Sequence, residues 1–295
     1  MRGIDRLLPA ASLVLPLLLA GCSLLPTTRK LPVPKAPVRV QTVAPAELIA
    51  QLNGHWDSLH SLTATVEIQA TELKTKEGIA KDFPSCRGWI LMRKPEMLRV
   101  VGQDFGVRVF NMVGDGKNFT LYIPPWSKAY KGSYAVKEKS ANPLENLRPG
   151  MFLDAMIVRG LDADDEYMVA RDTETIEDTA KKRLLVTPEY ILSIMQRKSG
   201  SRELKPKRVV TFHRDDLEPY QQDIYDNEGN LETEVFYTNY QNFEAGMFPS
   251  RITIKRLLDE LQVILTVEKV TENMNLTDDQ FQIELPDGTQ IQNLK

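Results

Sequence analysis

A change of period near residue 60 constrains this chain more than any other feature. Before it, Leu48, Ile49, Leu52, Trp56 and Leu59 recur at helical spacing behind Pro45, which suits a first helical turn. This pattern predicts one amphipathic helix, Ala46 to Leu59. After it the period is two. In "TATVEIQAT" Ala64, Val66 and Ile68 face one way, and Thr65, Glu67 and Gln69 face the other. Strand signals return in "RGWILMRK", "EMLRVVG", "VRVFNMVG" and "NFTLYIP". They resume in "KKRLLVTP", "YILSIMQ", "KRVVTFHR", "QQDIYD", "LETEVFYTNY", "FPSRITIKR" and "LQVILTVEKV". Strands with one apolar face must bury it against a second layer. The expectation is a mainly β chain with helices, an α+β class, with roughly ten antiparallel strands in one domain.

Turn chemistry supports the division. "GDGK" at 114–117 reads as a hairpin, "DNEGN" at 226–230 joins two strands, and Pro124 and Pro125 close another. The polar run Lys74 to Ser85 reads as a loop or wide hairpin. Between residues 141 and 161 the β pattern breaks. Met151, Phe152, Ala155 and Met156, with Arg159 on the same stripe, predict a short helix after Pro149. No glycine-rich linker, composition shift or internal repeat divides the chain.

The N-terminus carries different information. Arg2 and Arg6 precede an apolar run, Leu13 to Leu19, that contains Pro16 and is too short to span a bilayer. Ala20, Gly21 and Cys22 follow. "LAGC" resembles the lipobox of bacterial lipoproteins. That resemblance implies a signal peptide over residues 1–21, diacylglycerol on the Cys22 thiol and acylation of the new amino terminus. An ordinary secretion signal with an incidental cysteine is the alternative. Two or more acyl chains hold stably in a leaflet, at ~0.8 kcal/mol per buried CH₂. Ser23, where aspartate commonly signals inner-membrane retention, resembles the default of outer-membrane sorting. Residues 22–45 hold Pro26, Pro32, Pro34, Pro37 and Pro45. They read as an extended tether, ~3.1 Å per residue and on the order of 60 Å in reach. The folded domain is then 46–295.

Much chemistry is missing from the sequence. Lys+Arg 37 nearly balances Asp+Glu 40, so no strong field argues for nucleic acid. His55 and His60 stand five apart without the glutamate of a zinc protease, and His213 lies in "HRDD", which shares only three letters with a kinase catalytic loop. "LDADDEY" lacks the spacing of a calcium loop. With Cys22 acylated, Cys86 has no partner in the chain and reads as a small buried side chain. The expectation is a binder, not an enzyme, with no metal and no cofactor.

The C-terminal third is more specific. "MFPSRITIKR…LQVILTVEKVTENMNLTDDQFQIELPDGTQI" resembles the closing segment of LolA/LolB-like lipoprotein carriers. The matching residues are Pro249, then Val270 and Asn273, then Leu276 and Asp278, then Phe281, and finally Pro286 and Gly288. Thr277 and Gln280 also have capping-box spacing for one helical turn. "GWILMRKPEMLRVVGQDFGVRVFNMVGDGKNFTLYIP" fits the same family, and the resemblance covers about Ala46 to Leu294. It implies a strongly curved antiparallel half-barrel with a helical lid over an apolar cavity that binds acyl chains. Residues placed to line such a cavity are Leu48, Leu52 and Trp56 on the first helix and Met151, Phe152 and Met156 on the second. From the strands come Leu91, Val100, Phe110, Tyr122 and Ile254. Each also fits ordinary core.

LolB-like members carry an exposed apolar residue before a glycine in one loop. The matching pair here is Phe105 and Gly106 in "GQDFGV", with Phe for Leu and Asp104 for the preceding Pro. An exposed Phe would enter a bilayer with ~2–3 kcal/mol of apolar burial; a Phe turned inward is the alternative. The resemblance implies an outer-membrane, periplasm-facing lipoprotein. Its partners would be lipid or lipoprotein acyl chains, a membrane held through the Cys22 anchor, and a periplasmic carrier protein. A non-enzymatic envelope sensor or scaffold using the same fold is the second reading.

Overall fold

The computed structural model describes residues 40–74, 76–135, 143–178 and 183–294. Cys22, the signal segment and most of the tether lie outside the described residues. Within them, the change of period at residue 60 marks the junction between helix α1 (Pro45–Ser58) and strand β1 (Ser61–Lys74). The strands β2 (Ile79–Asp82), β3 (Cys86–Arg93), β4 (Met97–Asp104), β5 (Val107–Asp115), β6 (Asn118–Ile123) and β7 (Lys128–Ser133) follow. Helix α2 (Pro149–Met156) interrupts them. The second run is β8 (Asp165–Asp178), β9 (Arg183–Arg197), β10 (Leu204–His213), β11 (Pro219–Tyr225), β12 (Leu231–Phe243), β13 (Gly246–Arg256), β14 (Leu261–Glu272) and β15 (Gln290–Asn293).

Among the described residues, fifteen strands join one sheet. From edge to edge the order is β15, β7, β6, β5, β4, β3, β1, β14, β13, β12, β11, β10, β9, β8, with β2 paired to the far end of β1. The sheet stays open, because β15 and β8 never meet. Every pairing is antiparallel except β15 on β7.

The strand count exceeds the ten expected, for separate reasons. β2 lies in the polar run after Lys74 and all four of its residues are exposed, so it has no apolar period to read. β7 is short, and β15 is a fully exposed parallel edge. β8 is the other edge and is largely charged, a common guard on open edges. The described part of "KKRLLVTP", from Arg183 on, and "YILSIMQ" are one strand, β9. Pro188 is tolerated inside it because the β9–β10 ladder ends at Glu189–His213, so no amide is needed there.

Register fixes the two faces. Ala64, Ile90, Val100, Met112, Leu121 and Tyr130 sit opposite one another across β1, β3, β4, β5, β6 and β7, and all are buried. They form the concave face together with the matching residues of β9 to β14. Helix α2 approaches β4, β5 and β13. In a flat sheet β4 and β13 would stand about 19 Å apart, four spacings of ~4.8 Å, while an eight-residue helix is only ~12 Å long. The sheet therefore bends around α2.

The convex face of β4 and β5 is also covered. The chain after β14 crosses it to reach β7. There Thr277 N–H donates to Gln280 Oε1 at 2.8 Å, the expected capping box around the 3-10 turn Asp278–Phe281. Arg99 Nη1 donates to Gln280 O at 3.0 Å, and Leu276 and Phe281 are buried against the sheet. The second predicted helix stops at Met156, so Arg159 leaves its stripe and lies in the extended segment that follows.

Candidate functional site

The two ends of the concave face differ. One end, at the C-terminus of α1, holds Trp56 and the β3–β4 turn. Lys94 Nζ stands 4.0 Å from the centre of the Trp56 ring and donates to Trp56 O. Leu161 N–H donates to Asn53 Oδ1 at 2.9 Å. Arg208, buried, donates to Arg159 O and Gly160 O, both at 2.8 Å. Gln222 Nε2 donates to Asp154 O at 2.8 Å, and Arg159 pairs with Asp154 and Glu96, both at 3.1 Å. These bonds tie the end of α2 and the segment after it to α1, β10, β11 and the β3–β4 turn. The hollow they leave beside Trp56 is about 20 Å³.

At the other end an apolar cleft of about 230 Å³ opens. Its walls are Ile68 and Ala70 of β1, Val263 of β14, Val109 and Phe110 of β5 and Ile123 of β6. Its cover is Phe83 to Cys86 on one side and Leu144 and Leu147 on the other, with Pro125 and Trp126 at the border. An apolar cavity of ~150 Å³ already admits benzene. Asp104 and Ser85 are the polar groups in the lining.

Two glycines shape its floor. Gly88 and Gly102 face each other across β3 and β4. A Cβ on Gly88 would stand 2.4 Å from Ile68 Cδ1, and one on Gly102 would stand 2.4 Å from Phe110 Cε1. The missing methyls let Ile68 and Phe110 lie across the strands. Glycine inside a strand often marks such a close approach. Cys86 also lines the cleft. Burial, assisted by the Asp104 charge, pushes its thiol up to about 11, so it stays protonated and unreactive at neutral pH.

The sequence-derived cavity residues divide three ways. Phe110 lines the cleft. Leu48, Leu52, Val100, Met151, Phe152, Met156 and Ile254 are buried side chains of the continuous core, and Trp56 packs against that core and borders the small hollow. Leu91 and Tyr122 must be corrected. Leu91 pairs with Thr63 and Arg99, and Tyr122 with Asn111 and Ala129, all on the convex face. Apolar residues occur on both faces here because the C-terminal segment covers the outer one. The alternation alone therefore does not say which face is inside. Sequence reasoning missed Ile68, Ala70, Val109, Ile123 and Val263 as liners. The available signal was Gly88 and Gly102, a pair of strand glycines at matched register.

Phe105 and Gly106 form the two-residue tip of the β4–β5 hairpin, with φ of 42° and 82°. Both positive values suit a primed turn, whose twist matches its strands. Phe105 is 100% exposed, which removes the inward-turned alternative. A bulky residue in the left-handed region is strained, by about 1–3 kcal/mol, and such strain concentrates at functional positions. Asp104, next to it, borders the cleft. The same end of the sheet carries exposed Val107, Ile79 of the β1–β2 hairpin, and Leu257 and Leu258 of the β13–β14 turn. Among the described residues, no helix is long and apolar enough to cross a membrane.

The described chain enters at the opposite end. Gln41 N–H donates to Arg214 O at 2.6 Å, and Val43 N–H donates to Tyr190 Oη at 3.1 Å. The last residues of the expected tether are thus pinned to β9 and the turn after β10.

No protein-family model matches this chain, and no curated protein matches it in sequence. Solved structures do. A DUF1329 family protein from Desulfovibrio piger aligns with a TM-score of 0.52 at 14% identity, over 80% of this chain and 95% of that one. A LolA superfamily protein from Nitrosomonas europaea aligns with a TM-score of 0.50 at 16% identity, over 82% of this chain and 99% of that one. At such identities the likeness is one of fold: this chain shares its open, antiparallel-dominated sheet fold with these two solved structures, one of them a LolA superfamily protein.

Proposed function

We propose that this protein is a lipid-anchored envelope protein that binds acyl chains of lipids or lipoproteins without chemistry and passes them to a membrane. In this reading Cys22 is the anchor, on the periplasmic face of the outer membrane, and a periplasmic carrier is a partner. The segments at 83–86 and 143–147 act as the lid over the cleft. The observation that carries the reading is the pairing of a fully exposed, backbone-strained Phe105 with an apolar cleft beginning one residue away. Exposed Ile79, Val107, Leu257 and Leu258 support it, because a greasy rim at one end suits contact with a bilayer. The filled core around α2 favours the second reading, a sensor or scaffold without cargo.

Delipidated protein titrated with a fluorescent fatty acid separates the two. Wild type is expected to bind, and Ala70→Trp, which fills the cleft, to bind at least tenfold more weakly. Phe105→Glu should bind normally but fail to deliver the probe to vesicles. A properly folded Ala70→Trp chain with unchanged affinity would overturn the cleft as the site. Palmitate labelling that survives Cys22→Ser would overturn the anchor.

A further inference from the structure

We infer that the cleft takes a single acyl chain of about ten carbons and excludes the paired or tripled chains of diacyl lipids and acylated lipoproteins. This rests on the reading of the cleft as an acyl site and, of the lipids and lipoproteins proposed above as its ligands, keeps only the monoacyl lipids.

Volume gives the first argument. If the six carbons of benzene fit an apolar cavity of ~150 Å³, the 230 Å³ here scales to roughly nine or ten carbons. That is one chain of moderate length. The second argument is that the space cannot grow inward. Beyond Ile68 and Phe110 the concave face is solid: Val100, Met112, Phe152 and Ile254 are all 0% exposed. Room for a second chain deeper along the concave face would require α2 to lift. Its end is held by Gln222 on Asp154 O and by the Arg159–Asp154 pair, and the segment after it by Arg208 on Arg159 O and Gly160 O. Arg208 and Gln222 are themselves buried, so lifting α2 strands a guanidinium and leaves the Gln222 amide only Tyr237 Oη to donate to. Phe110 sets the depth of the cleft, because its ring occupies the space that Gly102 leaves vacant. Ser85 and Asp104 mark where a polar head group would remain in water.

The test is a chain-length series. Monoacyl phosphocholines of six to sixteen carbons, below their micelle concentrations, compete with a bound fluorescent fatty acid. Affinity should rise about fourfold per CH₂ and then level off near ten carbons. Native mass spectrometry should show one monoacyl lipid per chain. A diacyl phosphocholine with two ten-carbon chains should bind at least tenfold more weakly than its monoacyl counterpart. Phe110→Ala should move the plateau to longer chains; Val109→Ala, a gentler change in the same wall, should move it less but in the same direction. Affinity that climbs steadily to sixteen carbons, or equal binding of the diacyl lipid, overturns the single-chain inference while leaving the acyl site standing. Binding of no chain at all overturns the acyl site itself, and the inference with it.

Discussion

The Trp56 end and the Phe105 end of the concave face are built from the same sheet, yet only one is closed. At the Trp56 end two helices meet the strands. A carbonyl at the close of α2 is met by Gln222, two in the segment after it are met by Arg208, and space is reduced to about 20 Å³. At the Phe105 end, among the described residues, no α-helix lines the cleft. Short segments cover it instead, paired glycines widen it and about 230 Å³ stays open. In the proposed reading, stability and binding fall to different halves. A well-packed half can hold the curvature while the other half tolerates an unfilled apolar space.

The comparison can be broken most forcefully from the closed side. Phe152→Ala should cost about 3–5 kcal/mol in urea unfolding, the usual range for a fully buried Phe. Val109→Ala, beside space that is already empty, should cost about 1 kcal/mol or less. Equal losses would mean the two ends are packed alike.

Next in size is the polar tie. Arg208→Met removes two bonds to buried carbonyls and one of the cations facing Asp154, whose carboxyl is pushed up by burial and held down by Arg159 and Arg208. A loss of about 3 kcal/mol is expected. If the midpoint in urea hardly moves, α2 is not held in this way and the single-chain limit loses its support.

Gly102→Ala sharpens the comparison at the open end. The new methyl would meet the Phe110 ring at 2.4 Å, so the ring must swing into the cleft. Stability should fall by about 1–3 kcal/mol. Probe affinity should fall as well, and a variant that loses stability while binding normally would show that Phe110 does not form the floor.

The smallest effect is a gain. Phe105→Asn keeps the hairpin but puts a residue tolerant of positive φ at a position where φ is 42°. Stability should rise by a few tenths to about 1 kcal/mol, and delivery to vesicles should drop. A destabilised variant would mean that Phe105 makes stabilising contacts that its exposure does not suggest.

Some of this architecture is written in residues close together in sequence. α1 follows from the spacing of Leu48, Leu52 and Trp56. The turn at Thr277 follows from a partner three residues on, and the hairpin at 105–106 from a turn that ends in glycine. Such features depend on neighbours within a helical turn, so a linear reading reaches them. β2 and β15 escape it, since each owes its place to backbone pairing alone, with side chains fully exposed.

Which apolar residues face the interior, and where the interior stays empty, is a different kind of fact. Leu91 and Tyr122 have the side chains of cavity liners, yet they lie outside, because the C-terminal segment with Leu276 and Phe281 makes the convex face a second apolar layer. The cleft is what remains after Ile68, Phe110, Ile123, Leu147 and Val263 are brought together from distant positions. The sequence by itself determined most of the strands, the two helices and the turn that carries Phe105. Only the tertiary structure decided the faces and the cleft, because unfilled volume is a difference between many long-range packings and no local pattern encodes it.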